Sequence, residues 1–496
     1  MIRIDVPQGG RPAFIARGPV TATEAQEHAD ARSCDETDAF VPTFLPDLAN
    51  PQVCATEASP TPAWIRVGVS TMLAFQLLSS PAAAASVPAV LPSLGQSVTP
   101  IHRDRGPQMQ AETAATPNAI DAIRSQVART DYPPLDPYVA TVAQNVDASI
   151  NTPNIGTQIA RLTLGRHFSR PLDIHMNLNH GPDAKMVIIF PGIGNDHTTP
   201  PVRQIEDIAL KQGLNFAVIP NPFSNGWLDA VPNHLPGVLP NEAEANVDIM
   251  RSLRRLLPDY FEDVSGVGCS YGGLLGVATL QAQQHHGGEQ ILNGTFTAVS
   301  PPQDLLDSVT MMDQLGDRGP IPYGQVTEVG LRYYNLIRGG RFDTFAQSQV
   351  ANRGDYLVEQ VVAYQGGPRI ILETMLRHLR NPPPDTKTFD AYVHRSLSQD
   401  AWFVQHGTTV EETSKAHHLQ DMLHDVSGNG VPVLVLTSQD DMILNAENVE
   451  TFTHQAEDNV PDQVVRQYAH GGHLGVLFNP RIRDVVGAFA AAQSED

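Results

Sequence analysis

The feature that most constrains this chain is an alternation, sustained over about 370 residues, of short apolar runs with stretches of helical periodicity. The runs fall at residues 161–164, 172–176, 186–190, 216–219, 263–268, 296–299, 433–437 and 464–468. The first two alternate apolar and polar side chains, as half-exposed strands do. The later ones are apolar on both faces, which suits parallel strands buried beneath helices. Between them, Ile249, Leu253, Leu256 and Leu257 recur at helical spacing and predict an amphipathic helix. Strand–helix alternation of this length predicts an α/β fold with a mostly parallel central sheet flanked by helices. No internal repeat interrupts it.

Residues 1–120 read differently. They are rich in Ala, Pro, Thr and Ser, as in Ser59-Pro60-Thr61-Pro62, with little sustained periodicity. Such a segment buries too little apolar surface to offset chain entropy, and is expected to be low-complexity and mostly disordered. Within it, Arg66, the apolar run 67–78 and the alanines 82–85 have the make-up of a secretory signal over 66–85. Some 65 residues precede that stretch, which is wrong for a signal, so the reading slightly favours the cytoplasm and keeps export as its alternative. The run is shorter than the roughly 20 residues a spanning helix needs, so no stable membrane span is expected.

Charge and cysteine content exclude several functions. Lys and Arg total 32 against 54 Asp and Glu, a net charge of −22. Nucleic-acid binding and docking on anionic membranes both depend on clustered cations, and neither is expected. Three cysteines in 496 residues rule out a disulfide scaffold and a cysteine-rich zinc module.

The strongest chemical signal is Gly268-Cys269-Ser270-Tyr271-Gly272, a G-x-S-x-G pattern. Apolar Val264 and Val267 lead into it, and Leu274, Leu275, Val277 and Leu280 leave it at helical spacing. A strand turning sharply into a helix lifts a serine Oγ above the sheet edge, where the helix N-terminus offers N–H groups to a developing oxyanion. The same residues also resemble a dinucleotide fingerprint, Gly266-x-Gly268-x-x-x-Gly272. That pattern has one residue too many, and Glu289, its only suitably spaced acid, lies in a polar stretch rather than at a strand end. The serine reading is the stronger.

A serine hydroxyl needs a base, and the base an orienting acid. In strand–turn–helix hydrolases the chain order is Ser, then acid, then His. Here Asp440 and Asp441 follow the run 433–437, and His470 and His473 follow the run 464–468 among glycines. Either acid and either histidine stands past a strand end, on the expected edge of the sheet.

These residues together resemble the α/β-hydrolase fold superfamily of serine esterase and lipase type, over roughly residues 155–495. The family pattern selects Asp441, with Met442 where many members have proline, and leaves Asp440 as runner-up. It selects His473, in Gly472-His473-Leu474-Gly475, over His470. It further implies that the Phe190-Pro191-Gly192-Ile193-Gly194 stretch supplies the Ile193 N–H to an oxyanion hole, with the Tyr271 N–H as second donor. The implied architecture is a hydrolase core at 121–300 and 431–496, with a helical cap insertion at 301–430 that includes a helix-like stretch at 363–380. Thr388-Phe389-Asp390, Val431-Pro432-Val433-Leu434 and Asp440-Asp441 are similar to the long-capped embryogenesis-associated branch of esterases and lipases. The activity implied is cleavage of a small-molecule or lipid carboxylic ester through an acyl-enzyme, without metal or organic cofactor. Acyl transfer to an acceptor other than water is the alternative.

Two further groupings carry less. His417, His418, Asp421, His424 and Asp425 would share a helix face, read as solvated because no metal-protease pattern accompanies them. Cys269, beside the serine, reads as a buried thiol rather than a nucleophile.

Overall fold

A computed structural model of the chain describes residues 4–5, nearly all of 119–316 and 386–492, and positions 372 and 375–377. The expectations for the rest of 1–120, for Glu289, and for most of 363–380 lie outside the described residues.

The strands are β1 (Ile4–Asp5), β2 (Gln158–Leu162), β3 (Leu172–Asn177), β4 (Met186–Phe190), β5 (Asn215–Val218), β6 (Val264–Cys269), β7 (Phe296–Val299), β8 (Val433–Ser438) and β9 (Gln463–Tyr468). Each of the eight apolar runs in the sequence becomes one of β2 to β9. The helices are α1 (Ala119–Arg129), α2 (Pro137–Asn151), α3 (Pro200–Lys211), α4 (Asn225–Ala230), α5 (Leu239–Leu256), α6 (Tyr271–His285) and α7 (Leu305–Gly316). They continue with α8 (Phe389–Arg395), α9 (Ala401–His406), α10 (Val410–Ala416), α11 (Leu419–Val426), α12 (Ala446–Glu457) and α13 (Pro480–Ala491). None of the described helices is long and apolar enough to cross a membrane.

The strands form one sheet in the order β1-β2-β3-β5-β4-β6-β7-β8-β9. Pairing is antiparallel from β1 through β2 and β3 to β5, and parallel from β5 through β4 and β6 to β9. A mostly parallel sheet of this order, covered by helices, is the α/β-hydrolase fold. The chain reverses its direction of travel across the sheet at β4, which lies between β5 and β6. In open α/β sheets the crevice at the carboxyl ends of such switch-point strands is where ligands bind.

Burial follows the sequence pattern. Every residue of β4, β5, β6, β7 and β8 is buried, whereas β2 alternates at the sheet margin. Successive side chains of a strand point to opposite faces. Met186, Ile188 and Phe190 of β4 accordingly join one apolar cluster with Leu253 of α5 and Leu274 of α6. Val187 and Ile189 join the other, with Val139 of α2, Ile205 of α3 and Phe489 of α13. Each fully buried side chain of this kind stabilises by about 1.5–3 kcal/mol. Helices α1 and α2, N-terminal to the stretch that resembles the family, are thus built into the core through Ile123, Val127 and Val139, with Leu135 of their connection beside them.

The expectation of one helix face across 417–425 is corrected. Helix α10 ends at Ala416, and His418 is extended (φ −65°, ψ 135°) as the residue before α11. His417 lies in the break, its Nδ1 2.8 Å from the Thr413 carbonyl oxygen. Only Asp421, His424 and Asp425 stand on α11, all exposed.

Glu206 of α3 is 2% exposed, and its Oε1 has no hydrogen-bond partner among the described residues. Burial pushes its carboxyl up to about 8, with Arg203 pulling it down and Asp196 adding to the rise. The folded protein then holds a proton that the unfolded chain releases above roughly pH 4.3. The contribution of Glu206 to stability is fullest below that value and is lost as pH rises through about 8. Glu206→Gln cannot ionise, so it should raise the urea midpoint at pH 8 and leave it unchanged near pH 4. Equal effects at both pH values would contradict this.

Candidate active site

Strands β4, β6, β7, β8 and β9 run parallel, so the loops after them emerge on one edge of the sheet. The serine, the acids, the histidines and Ile193 singled out in the sequence sit in those loops, and Tyr271 opens the helix that follows the serine. Ser270 follows β6 directly, Ile193 lies past β4, Asp440 and Asp441 follow β8, and His470 and His473 follow β9.

Ser270 has φ +53°, a left-handed conformation that L-residues with a Cβ seldom adopt. Its N–H donates to the Val299 carbonyl at 2.8 Å, and its own carbonyl accepts from Gly273 N–H at 2.8 Å. The turn also requires glycine at 272. A Cβ there would stand 2.0 Å from the Phe190 carbonyl oxygen and 2.4 Å from that of Pro191. The start of α6 is therefore pressed against the end of β4. The same approach places the β4 loop beside the serine, since a Cβ on Gly192 would lie 3.1 Å from Ser270 Cβ. Asn221 Nδ2 donates to the Pro191 carbonyl at 2.7 Å, and Asn195 N–H to that of Gly192 at 3.0 Å, so this loop is braced. Among the described residues neither the Ile193 nor the Tyr271 N–H donates a hydrogen bond.

Asp441 and His473 are brought together. His473 Nδ1 lies 3.1 and 3.0 Å from the two carboxylate oxygens. The Asp441 side chain is fully buried and that of His473 is 17% exposed. Asp441 is aimed by its place in the β8 loop, where one of its oxygens also accepts the Ile443 N–H at 3.1 Å. Asp440 points elsewhere. It accepts the Gly472 N–H at 2.8 Å and pairs with His470 Nδ1 at 3.4 Å. Burial raises the Asp440 carboxyl, and the Gly472 N–H leads the contacts that lower it.

Other side chains support this edge without being visible in any local pattern. Ser300, after β7, has φ +47°, and its Oγ accepts the Leu474 N–H at 3.0 Å. Ser438 Oγ donates to the Gly472 carbonyl at 2.9 Å. The Tyr271 hydroxyl donates to the buried Glu242 carboxylate, which also accepts the Gly237 N–H at 2.6 Å. The Tyr392 hydroxyl of α8 donates to the neighbouring Pro236 carbonyl at 2.8 Å. Burial pushes both tyrosine hydroxyls well up, and Glu242 adds to the effect. A polar chain thus links the β7–β8 insertion to the residue after the serine, and the Phe223 ring packs edge-on against Tyr271 and Phe389.

No protein-family model matches the chain, and no curated protein sequence matches it. Solved structures do. An esterase of Pyrococcus furiosus is similar at 13% identity over 70% of this chain and 93% of its own, with a TM-score of 0.39. The naproxen esterase (carboxylesterase NP) of Bacillus subtilis is similar at 14% identity over 70% and 94%, with a TM-score of 0.37. A fungal esterase of Rhizomucor miehei is similar at 13% identity over 77% and 97%, with a TM-score of 0.37.

Cys269 is 1% exposed, and burial pushes its thiol up to about 12. It should remain unmodified by iodoacetamide at pH 8 in the native protein and react once the chain is unfolded in urea. Peptide mass mapping distinguishes the two, and alkylation of native Cys269 would contradict its placement.

Proposed function

We propose that this chain is a serine hydrolase of carboxylic esters, with Ser270 as nucleophile, His473 as base and Asp441 as the acid that orients it. The observation that carries the reading is the Asp441–His473 contact, on the same sheet edge as a serine held in a left-handed turn. In this reading His473 Nε2 takes the Ser270 proton as Oγ attacks the acyl carbon. Asp441 holds the proton on Nδ1, which leaves Nε2 as the lone-pair nitrogen, and it stabilises the imidazolium that forms. The Ile193 and Tyr271 N–H groups receive the negative charge that develops on the carbonyl oxygen. That neither donates to an acceptor among the described residues, and that Gly192 stands against Ser270, support that role. The N-terminus of the 15-residue helix α6 adds a favourable dipole. Collapse of the tetrahedral species expels the alcohol, which takes its proton from His473. Water activated by the same histidine then releases the acid from Ser270.

The geometry also supports Asp440 as a brace of the histidine loop rather than the triad acid, because its carboxylate is spent on Gly472 and His470. The 301–430 insertion between β7 and β8 is proposed as a cap over this edge. Its described helices α7 and α8 contribute Leu305 and Phe389 to the apolar cluster that also holds Phe223 and Tyr271. A cap packed through apolar side chains suits an apolar acyl group and an uncharged ester as substrate.

A panel of p-nitrophenyl esters of increasing acyl length tests the reading. Wild type should turn over at least one member, and Ser270→Ala and His473→Ala should each lose about 10³-fold or more in kcat. Asp441→Asn should fall nearly as far and Asp440→Asn much less. Equal losses in the two aspartate variants would remove the assignment of Asp441, and turnover undiminished in Ser270→Ala would remove the reading itself.

A further inference from the structure

We propose that Thr141, on helix α2, is a positioning residue for His473, and that the helical pair α1–α2 is part of the catalytic apparatus. The inference rests on the reading of Ser270, His473 and Asp441 as a triad. It starts from the loop that carries the histidine. Gly471, Gly472 and Leu474 have φ of +149°, +56° and +61°, so the backbone on both sides of His473 is in conformations that relax readily unless held. Leucine has no intrinsic reason to stay there.

Three consecutive N–H groups of this loop are each taken by a side chain from a different element. Gly472 N–H donates to Asp440 at 2.8 Å, His473 N–H to Thr141 Oγ1 at 3.0 Å, and Leu474 N–H to Ser300 Oγ at 3.0 Å. Two of the three supports come from loops at the sheet edge. The one on the histidine itself comes from α2, which precedes β2. Thr141 is fixed in turn, because its hydroxyl hydrogen donates to the Pro137 carbonyl at 2.9 Å and leaves an oxygen lone pair for His473. Helix α2 begins at that point under an Asp136 cap, whose carboxylate accepts the Tyr138 and Val139 N–H groups at 3.1 Å.

The fit between helix and loop is close. A Cβ on Gly472 would stand 2.0 Å from the Pro137 carbonyl oxygen, and one on Gly475 would stand 2.7 Å from the Ala140 carbonyl carbon. The Tyr132 hydroxyl, between α1 and α2, donates to the Gly475 carbonyl at 2.9 Å. Asn479, which caps α13, donates to the Asp131 carbonyl at 3.2 Å. At the far end of α2, Asp147 pairs with Arg483 of α13. The loop therefore lies between a sheet edge and a helix that is anchored at both ends. Asp441 sets the tilt of the imidazole through Nδ1, and Thr141 sets the height of the residue that carries it.

The test compares Thr141→Val, which keeps the shape and removes the hydroxyl, with Thr141→Ser, which keeps the hydroxyl. Both are measured in the full chain with a p-nitrophenyl ester as probe and with thermal melting as the check on folding. Thr141→Val should melt as a folded protein, lose about tenfold or more in kcat and keep KM within about twofold, because a small displacement of a catalytic group costs rate rather than binding. Thr141→Ser should recover most of that loss. Equal kcat in Thr141→Val and wild type, or equal impairment of the valine and serine variants, would overturn the inference and leave the triad reading standing. A wild-type protein with no Ser270-dependent turnover of any probe would remove both.

Discussion

The architecture of the site depends on one close contact, the pressing of the β6–α6 turn against the end of β4. Gly272 has no room for a Cβ beneath the Phe190 and Pro191 carbonyls, and this proximity sets the left-handed serine beside Gly192. Strands β4 and β6 are paired neighbours at the point where the sheet reverses its order, so nothing else can come between the two loops. Parallel β7, β8 and β9 then deliver Ser300, Asp441 and His473 to the same edge.

Strain is concentrated there. Among the described residues, the non-glycine positions with positive φ are Ser270, Ser300 and Leu474, and all three belong to this edge. A left-handed L-residue costs roughly 1–2 kcal/mol. The buried strands and the two helical layers around them hold these conformations against relaxation. Each strained residue is also bonded locally, Ser270 to Val299, Leu474 to Ser300, and Ser300 through its N–H to the Leu436 carbonyl at 2.7 Å. Strain that the surroundings over-determine in this way is a mark of functional geometry.

Much of this was legible in the sequence, and the reasons are local. Runs such as 186–190 and 433–437 are apolar on both faces because they are buried on both faces, and a strand buried on both faces can be recognised from its own residues. The serine turn was legible because the glycine demanded at 272 stands two positions from Ser270. The choice between Asp440 and Asp441 was not a matter of composition. Both follow β8, and only the direction of each side chain separates a carboxylate on His473 from one on Gly472. Thr141 had no local signature, since its bond to His473 joins residues 332 positions apart. Tyr271 and Glu242, 29 positions apart, meet only because α5 and α6 pack side by side. The helix face drawn across 417–425 failed because period alone does not register a break. Leaving His417 and His418 outside both helices cost only a turn, with Thr413 accepting the His417 ring nitrogen.

The central claim is that Ser270 is an activated nucleophile, and the most direct measurement is labelling of the folded full-length protein with a fluorophosphonate probe, mapped by mass spectrometry. The account predicts one modified residue, Ser270, with labelling abolished in Ser270→Ala and strongly slowed in His473→Ala. Absence of label on Ser270 in folded wild type, or labelling equally fast without His473, would contradict it.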